Sequence, residues 1–189
     1  MTTDDERFIV VDGRRWRATD PGIPERLRAE LVKELMAARR AVRDAKKASA
    51  TGPSSEAATP DEDEDPDEDK DKDEPMAAAR TRVQDAKVAL GERGDPWWDA
   101  LTPEGLDQRL AATVRALLRH REPTSTICPS DAARVVAGDR FRTVMDDARR
   151  VAAGLRDAGV VVTTQKGDAV DPLTASGPIR IGRGPHWSG

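Results

Sequence analysis

Several residue types that build large cores or covalent frameworks are scarce in this 189-residue chain. A single cysteine excludes an internal disulfide framework and a zinc site made of several thiolates. Tyrosine is absent and aromatic residues make up 3% of the chain, which argues against a large β-sandwich or barrel. No apolar run approaches the roughly 18 residues of a membrane-spanning helix, and the N-terminus has no apolar signal core. We therefore expect a cytoplasmic protein with no membrane partner.

Motifs for catalysis and for metal binding are missing as well. The chain has no Gly-rich loop ending in Gly-Lys-Ser/Thr and no Gly-x-Ser-x-Gly elbow. His120, His186 and Cys128 form no local cluster in the sequence, and Cys128, which precedes a proline, is interpreted as a small packing residue. We predict no enzyme, no catalytic residue, no cofactor and no metal.

Charge is abundant, and it is unevenly distributed. The run Asp61–Glu74 holds eleven acids and two lysines, so it carries −9, while the whole chain carries −4 and the remainder therefore +5. Such a block repels itself and stays solvated, so residues 49–75 are predicted to be a disordered acidic insertion. Basic residues between Lys33 and Lys47 then have two interpretations, a solvated helix face or a basic surface masked by the acidic run.

The first half of the chain is predicted to form a β-hairpin and a helical hairpin, over residues 7–99. Asp12-Gly13 between two extended runs indicates a two-residue turn that pairs Ile9 with Trp16. Apolar residues then recur at helical spacing over about 24–48, and again from Met76 to Leu90. Each stripe is narrow, which is typical of a coiled-coil seam.

Trp97 and Trp98 follow the second of these helices, and two interpretations stay open. The indoles either cap the open end of the helical hairpin near Trp16 or form an exposed aromatic patch that binds a partner.

The second half, residues 102–183, has the order of a winged helix-turn-helix domain. A helix begins at Thr102-Pro103 and runs to about Arg121. A short strand over 124–127, a helix from Ser130 to Ala137 and a third helix from about Asp139 follow, and strands at 160–164 and 178–181 flank a loop. The fold class is thus mainly α with a small α+β domain, and residues 184–189 are predicted to be a flexible tail.

This region also resembles a known family. Ile127–Arg134, Phe141–Met145, Val162–Gly167 and Gly177–Ile181 look like segments of a small bacterial domain-of-unknown-function family of winged-helix type, over about residues 103–183. Phe141 stands where members of that family carry tryptophan. Asp12–Arg17 and Pro96–Trp98 resemble another uncharacterised bacterial protein type. Both resemblances imply a fold, and neither implies an activity.

A winged helix suggests contact with double-stranded DNA through its third helix and its wing. Arg142, Arg149 and Arg156 line up at steps of seven, and Lys166 lies in the wing, so these four are the predicted phosphate contacts. The opposite face carries three aspartates, which favours the alternative that the arginines form surface ion pairs.

The predicted function is a non-enzymatic nucleic-acid-binding or regulatory adaptor that acts through the winged helix. The alternative is a protein-interaction module that binds a protein partner, or a second copy of itself, through the helical hairpin and the Trp97-Trp98 patch. The salt dependence of binding distinguishes the two functions, because the affinity of phosphate contacts falls steeply as the salt concentration rises.

Overall fold

A computed structural model of the chain describes residues 4–50 and 68–188, so most of the predicted acidic insertion and Gly189 lie outside the described residues. The described part is mainly helical, as predicted. Its helices are α1 (Asp4–Arg7), α2 (Glu25–Ala50), α3 (Glu68–Ala89), α4 (Pro103–His120), α5 (Pro129–Ala137), a 3₁₀ helix (Gly138–Val144) and α6 (Met145–Asp157). Its strands are β1 (Phe8–Val11), β2 (Arg14–Arg17), β3 (Val161–Gln165), β4 (Asp168–Ala169) and β5 (Arg180–Arg183).

The predicted β-hairpin is confirmed in position and register. β1 and β2 pair antiparallel with Ile9 opposite Trp16. Asp12 and Gly13 both adopt positive φ, at 50° and 72°. A two-residue hairpin turn needs this backbone conformation at both positions, and Asp-Gly supplies it at low cost.

Helices α2 and α3 form the predicted pair, and α3 differs from the prediction in two ways. It begins at Glu68 rather than near Met76. Its last turns also bury a second face, including Asp85, Val88 and Ala89, against α4. A coiled-coil seam would leave that face in water.

The C-terminal elements follow the predicted order, with two local differences. The strand expected over 124–127 is reduced to a single bridge between Ile127 and Ile181. The third helix starts as a 3₁₀ helix and becomes α-helical only at Met145. β4, β3 and β5 form an antiparallel sheet in that order, with the β3–β4 turn at Lys166-Gly167.

The two predicted modules share one core. A contiguous cluster of buried side chains runs from Leu31 of α2 through Leu90 and Leu117 of α4 to Val135 and Ile181. Helix α4 lies between the two halves and packs on α2, α3, α5 and α6. The boundary near residue 100 therefore separates sequence patterns but does not separate two cores.

The predicted flexible tail packs against the rest of the molecule over its described part, residues 184–188. Gly184 and His186 donate backbone hydrogen bonds to Val160 and Gly159. Trp187 packs on the core, with the Arg119 and Arg183 guanidinium groups 5.7 and 5.5 Å from its ring. The Gly-rich composition of this segment gave no sign of these contacts.

The start of α4 supports a prediction about pH. Thr102 caps the helix by accepting from the Gly105 N–H, and its own hydroxyl and N–H donate to Asp95 at 2.7 and 2.8 Å. The Thr102 hydroxyl, and then its backbone N–H, lower the pKa of Asp95 below its ordinary value of 3.8. The stabilisation is therefore fully present above about pH 4 and is lost as pH falls through the lowered pKa.

We expect Asp95→Asn to be less stable than the parent chain at neutral pH and to approach it in acid. Urea unfolding of both chains at a series of pH values between about 6 and 3 measures the difference. A difference that stays constant over this range would contradict the assignment.

Candidate functional site

An open cleft of about 690 Å³ lies between one face of the β-hairpin and helix α2. We call it the hairpin cleft. Its volume lies within the range of about 300–1,000 Å³ that is typical of ligand sites. The strands contribute Ile9, Val11, Arg14 and Trp16, and the helices contribute Val32, Leu35, Met36, Arg39 and Lys87.

Strand alternation gives the hairpin two different faces. Residues 9, 11, 14 and 16 face the cleft. On the other side, Phe8 contacts Trp98 edge-on at 5.4 Å, and the Arg17 guanidinium lies 5.5 Å from the Trp98 ring. Trp98 therefore covers Phe8 on one face, where Val10 stays exposed, and the other face is open to the cleft.

Trp97 and Trp98 are half-buried in this arrangement. The Trp97 indole N–H donates to the Ala18 carbonyl at 3.0 Å, and the two indole rings pack edge-on at 5.1 Å. These contacts place the two indoles against the β-hairpin. Trp98 covers Phe8 and not Trp16, because Trp16 lies on the opposite face of the hairpin.

The hairpin is anchored at its base, which keeps the cleft open. Arg17 donates to the carbonyls of Gly94 and Asp95 at 2.8 and 3.2 Å. Thr19 donates to Glu92 at 3.0 Å. These bonds hold the base of the hairpin to the segment after α3.

Apolar exposure in the described residues is concentrated at this site. Seven large apolar side chains are exposed among the described residues, and four of them line the hairpin cleft: Ile9, Val11, Trp16 and Met36. Trp16 is 42% exposed and Met36 41%. An exposed apolar group of this kind, rimmed by charge, is typical of an interaction surface.

Basic side chains outnumber acidic ones around the cleft, with Arg14, Arg17, Arg39 and Lys87 against Asp12 and Glu92. Glu92 accepts from Thr19, and its second oxygen lies 3.5 Å from Lys87 Nζ, so its charge is largely compensated. Arg14 lies 5.5 Å from the Trp16 ring, and Arg39 contacts the Met36 sulfur at 4.0 Å. Among the described residues, neither Arg14 nor Arg39 forms an ion pair with a carboxylate.

The four predicted phosphate contacts differ in how far their side chains are engaged within the chain. Arg149 donates to the carbonyls of Pro172, Ala175 and Gly177 at 2.7, 2.8 and 2.6 Å, so it holds the loop between β4 and β5. Arg156 pairs with Asp157 at 2.8 Å and with Asp171 at 3.1 Å. Both guanidinium groups are occupied within the chain.

Arg142 and Lys166 are both exposed. Arg142 belongs to the 3₁₀ helix, where the step of seven no longer places it above Arg149, and it lies 5.0 Å from the Phe141 ring. Lys166 is exposed in the β3–β4 turn at φ 54°. The exposed side of α6 carries Asp146 together with Arg150, which is paired with Asp107 and Asp147.

Arg149→Ala should release the loop at residues 172–177 without unfolding the chain. Three hydrogen bonds from one charged donor are lost, and we expect a cost of about 2 kcal/mol in the free energy of unfolding. Hydrogen exchange of the loop amides and urea unfolding measure the two effects. Arg142→Ala is the control and should stay within about 0.5 kcal/mol. Unchanged exchange in the loop would contradict the role assigned to Arg149.

Sequence reasoning missed the cleft because distant segments build it. The pairing of Ile9 with Trp16 was predicted, but the position of the hairpin relative to the helices was not. Met36 and Arg39 had no signal beyond helical spacing. The described residues include no helix with the length and apolarity to cross a membrane, and no group of three His, Cys, Asp or Glu arranged to hold a metal ion.

Comparison with known proteins extends this description at the family level. No curated protein matches the chain. Residues 107–184 match the model of a family described as Protein of unknown function (DUF3253). The match covers the C-terminal elements from α4 to β5, close to the range predicted from the motifs. The C-terminal part of the chain is thus matched to a domain family of unknown function, and the match brings no activity with it.

Proposed function

We propose that this chain is a non-enzymatic interaction protein that binds a protein partner in the hairpin cleft. The observation that carries the proposal is the group of exposed apolar side chains on an anchored hairpin with one open face. Burying such side chains against a partner contributes roughly 25 cal/mol per Å² of apolar surface.

The residue types at the cleft support a protein partner. Tryptophan and arginine are the residues on which binding energy at protein interfaces is most often concentrated. Trp16 and Arg14 lie together on the open face of the hairpin, and Met36 offers an adaptable surface opposite them. Because Arg17 and Thr19 already fix the hairpin, a partner has little backbone to order on binding.

A quantitative capture experiment with the full-length chain tests the proposal. Proteins retained from cells that express it are compared between the parent chain, Trp16→Ala and Met36→Ala. A partner that uses the cleft should lose about 2 kcal/mol of binding on Trp16→Ala, which is close to thirtyfold in affinity.

Leu173→Ala is the matched control, because Leu173 is 58% exposed and far from the cleft in the chain. It should retain the partner at the parent level. A set of partners that is the same for all four chains, each checked for an unchanged thermal unfolding midpoint, would overturn the proposal.

DNA binding by the C-terminal elements is the second candidate. The order α4, Ile127–Ile181 bridge, α5, α6 and a three-stranded sheet is typical of a winged helix, and this supports assigning the unit to that type. Exposed Arg142 and Lys166 are the cations available to phosphate, whereas Arg149 and Arg156 are occupied.

Anisotropy of labelled duplex DNA at two salt concentrations decides between the candidates. Salt-sensitive binding that weakens on Lys166→Glu and is unchanged by Trp16→Ala would favour the DNA-binding function.

A further inference from the structure

We infer that the partner segment recognised by the hairpin cleft is acidic and carries an apolar anchor residue. This inference rests on the proposed function and adds the chemistry of the occupant. Three observations lead to it: the cations at the cleft, the position of the exposed Trp16 ring beside Arg14, and the direction in which basic residues continue along α2.

The cleft has uncompensated positive charge. Its acids are Asp12 and Glu92, and Glu92 already interacts with Lys87 and Thr19. Arg14 and Arg39 are exposed on opposite sides of the cleft and form no ion pair with a carboxylate of the described residues. Exposed guanidinium groups on either side of an apolar floor are suited to a ligand with several carboxylates.

The Trp16 ring combines the two kinds of contact. Arg14 lies 5.5 Å from its centroid and Lys87 Nζ 5.3 Å, and the ring remains 42% exposed. An apolar side chain that packs on this ring leaves its flanking carboxylates within reach of Arg14 and, across the cleft, of Arg39. Neither a purely apolar nor a purely anionic segment satisfies both.

Basic residues continue beyond the cleft along α2. Val32, Leu35, Met36 and Arg39 line the cleft from one face of the helix. The same helical spacing brings Arg43 and Lys46 next on that face, and both are exposed. A segment long enough to leave the cleft toward the C-terminal end of α2 meets these cations in turn, which favours a peptide over a small carboxylate.

Three synthetic probes, based on the chain's own acidic run Asp61–Glu74, separate the contributions of charge and anchor. The anchored probe has Lys70 and Lys72 of that run replaced by Leu and Phe. The anchorless probe has both replaced by Ser, so its charge is the same. The neutral probe is the anchored one with every Asp and Glu replaced by Asn and Gln. Each is labelled and titrated with the full-length chain by fluorescence anisotropy.

We expect the anchored probe to bind most tightly and each of the other two to bind at least about tenfold more weakly. Arg39→Glu should weaken the anchored probe about tenfold and leave the neutral probe unchanged. Arg180→Glu, which reverses an exposed arginine of β5, is the matched control and should change neither.

The remaining outcomes overturn the inference in distinguishable ways. Equal binding of the neutral probe removes the acidic requirement while leaving the proposed partner site intact. Equal binding of the anchorless probe removes the requirement for an anchor and shows that acidic charge alone suffices. Failure of all three probes overturns the inference, and the capture experiment with Trp16→Ala then reports separately on the cleft. An oligonucleotide that outcompetes the anchored probe would assign the cations to nucleic acid instead.

Discussion

Replacing Arg109 with alanine is expected to lower the free energy of unfolding by about 3–5 kcal/mol, the range for breaking a buried ion pair from one side. The Arg109 side chain is 4% exposed, and it donates to Asp20 Oδ2 at 2.7 Å. It also reaches the carbonyls of Ala89 and Val135 at 3.4 and 3.5 Å. One guanidinium group thus connects the segment before α2 with the end of α3 and the end of α5, and its removal leaves the Asp20 carboxylate buried without a counter-charge.

Urea unfolding of the full-length chain measures this loss. Arg150→Ala is the matched control, because Arg150 also pairs with an aspartate at 2.6 Å but its side chain is 50% exposed. An exposed ion pair contributes less than about 1 kcal/mol, so the control should unfold close to the parent chain. Similar losses in the two variants would show that the burial of the Arg109–Asp20 pair has no energetic consequence.

The elements predicted correctly from sequence are those specified by local rules. Asp12-Gly13 supplies positive φ at two successive positions, and the register with Ile9 opposite Trp16 follows from the turn length alone. Thr102-Pro103 marks the start of α4 through capping and a fixed φ. These signals need no knowledge of distant residues.

Hydrophobic periodicity failed to predict the buried helix faces that carry charged residues. Asp85 and Arg109 lie beside the apolar stripes of α3 and α4. A pattern-based analysis therefore assigns these charged positions to solvent. Both are buried because their partners lie on other segments: Arg115 and Arg119 for Asp85, and Asp20 for Arg109. The shared core across the two predicted modules was missed for the same reason.

The candidate site shows the same limit. The helical phase of Arg149 and Arg156 within α6 was predictable, but the carbonyl groups that occupy Arg149 come from the loop at 172–177, which has no regular spacing. Likewise, the apolar face of the hairpin was predictable, while its openness depends on the bonds from Arg17 to Gly94 and Asp95. Whether a charged or apolar residue is available to a partner is decided by such tertiary contacts.

Asp85→Ala is expected to cost about 3–5 kcal/mol as well, because it leaves a buried arginine without its carboxylate. Asp85 accepts from Arg115 Nε and Nη2 at 2.9 and 2.6 Å and from Arg119 Nη1 at 2.6 Å. The Asp85 and Arg119 side chains are each 5% exposed, and the described residues offer Arg119 no second ion-pair partner. Removing one carboxylate therefore leaves two guanidinium groups unpaired at the contact between α3 and α4.

Unfolding in urea gives the size of this effect, and hydrogen exchange locates it. The amides of α3 should lose protection more than those of α6, because α3 reaches the C-terminal elements through its contact with α4. Asp107→Ala, which removes an exposed carboxylate from its pair with Arg150, serves as the control and should cost less than about 1 kcal/mol. A loss of protection spread evenly over α3 and α6 would mean that the shared core unfolds as one cooperative unit, so that the Asp85 pairs stabilise the whole chain rather than the attachment of α3.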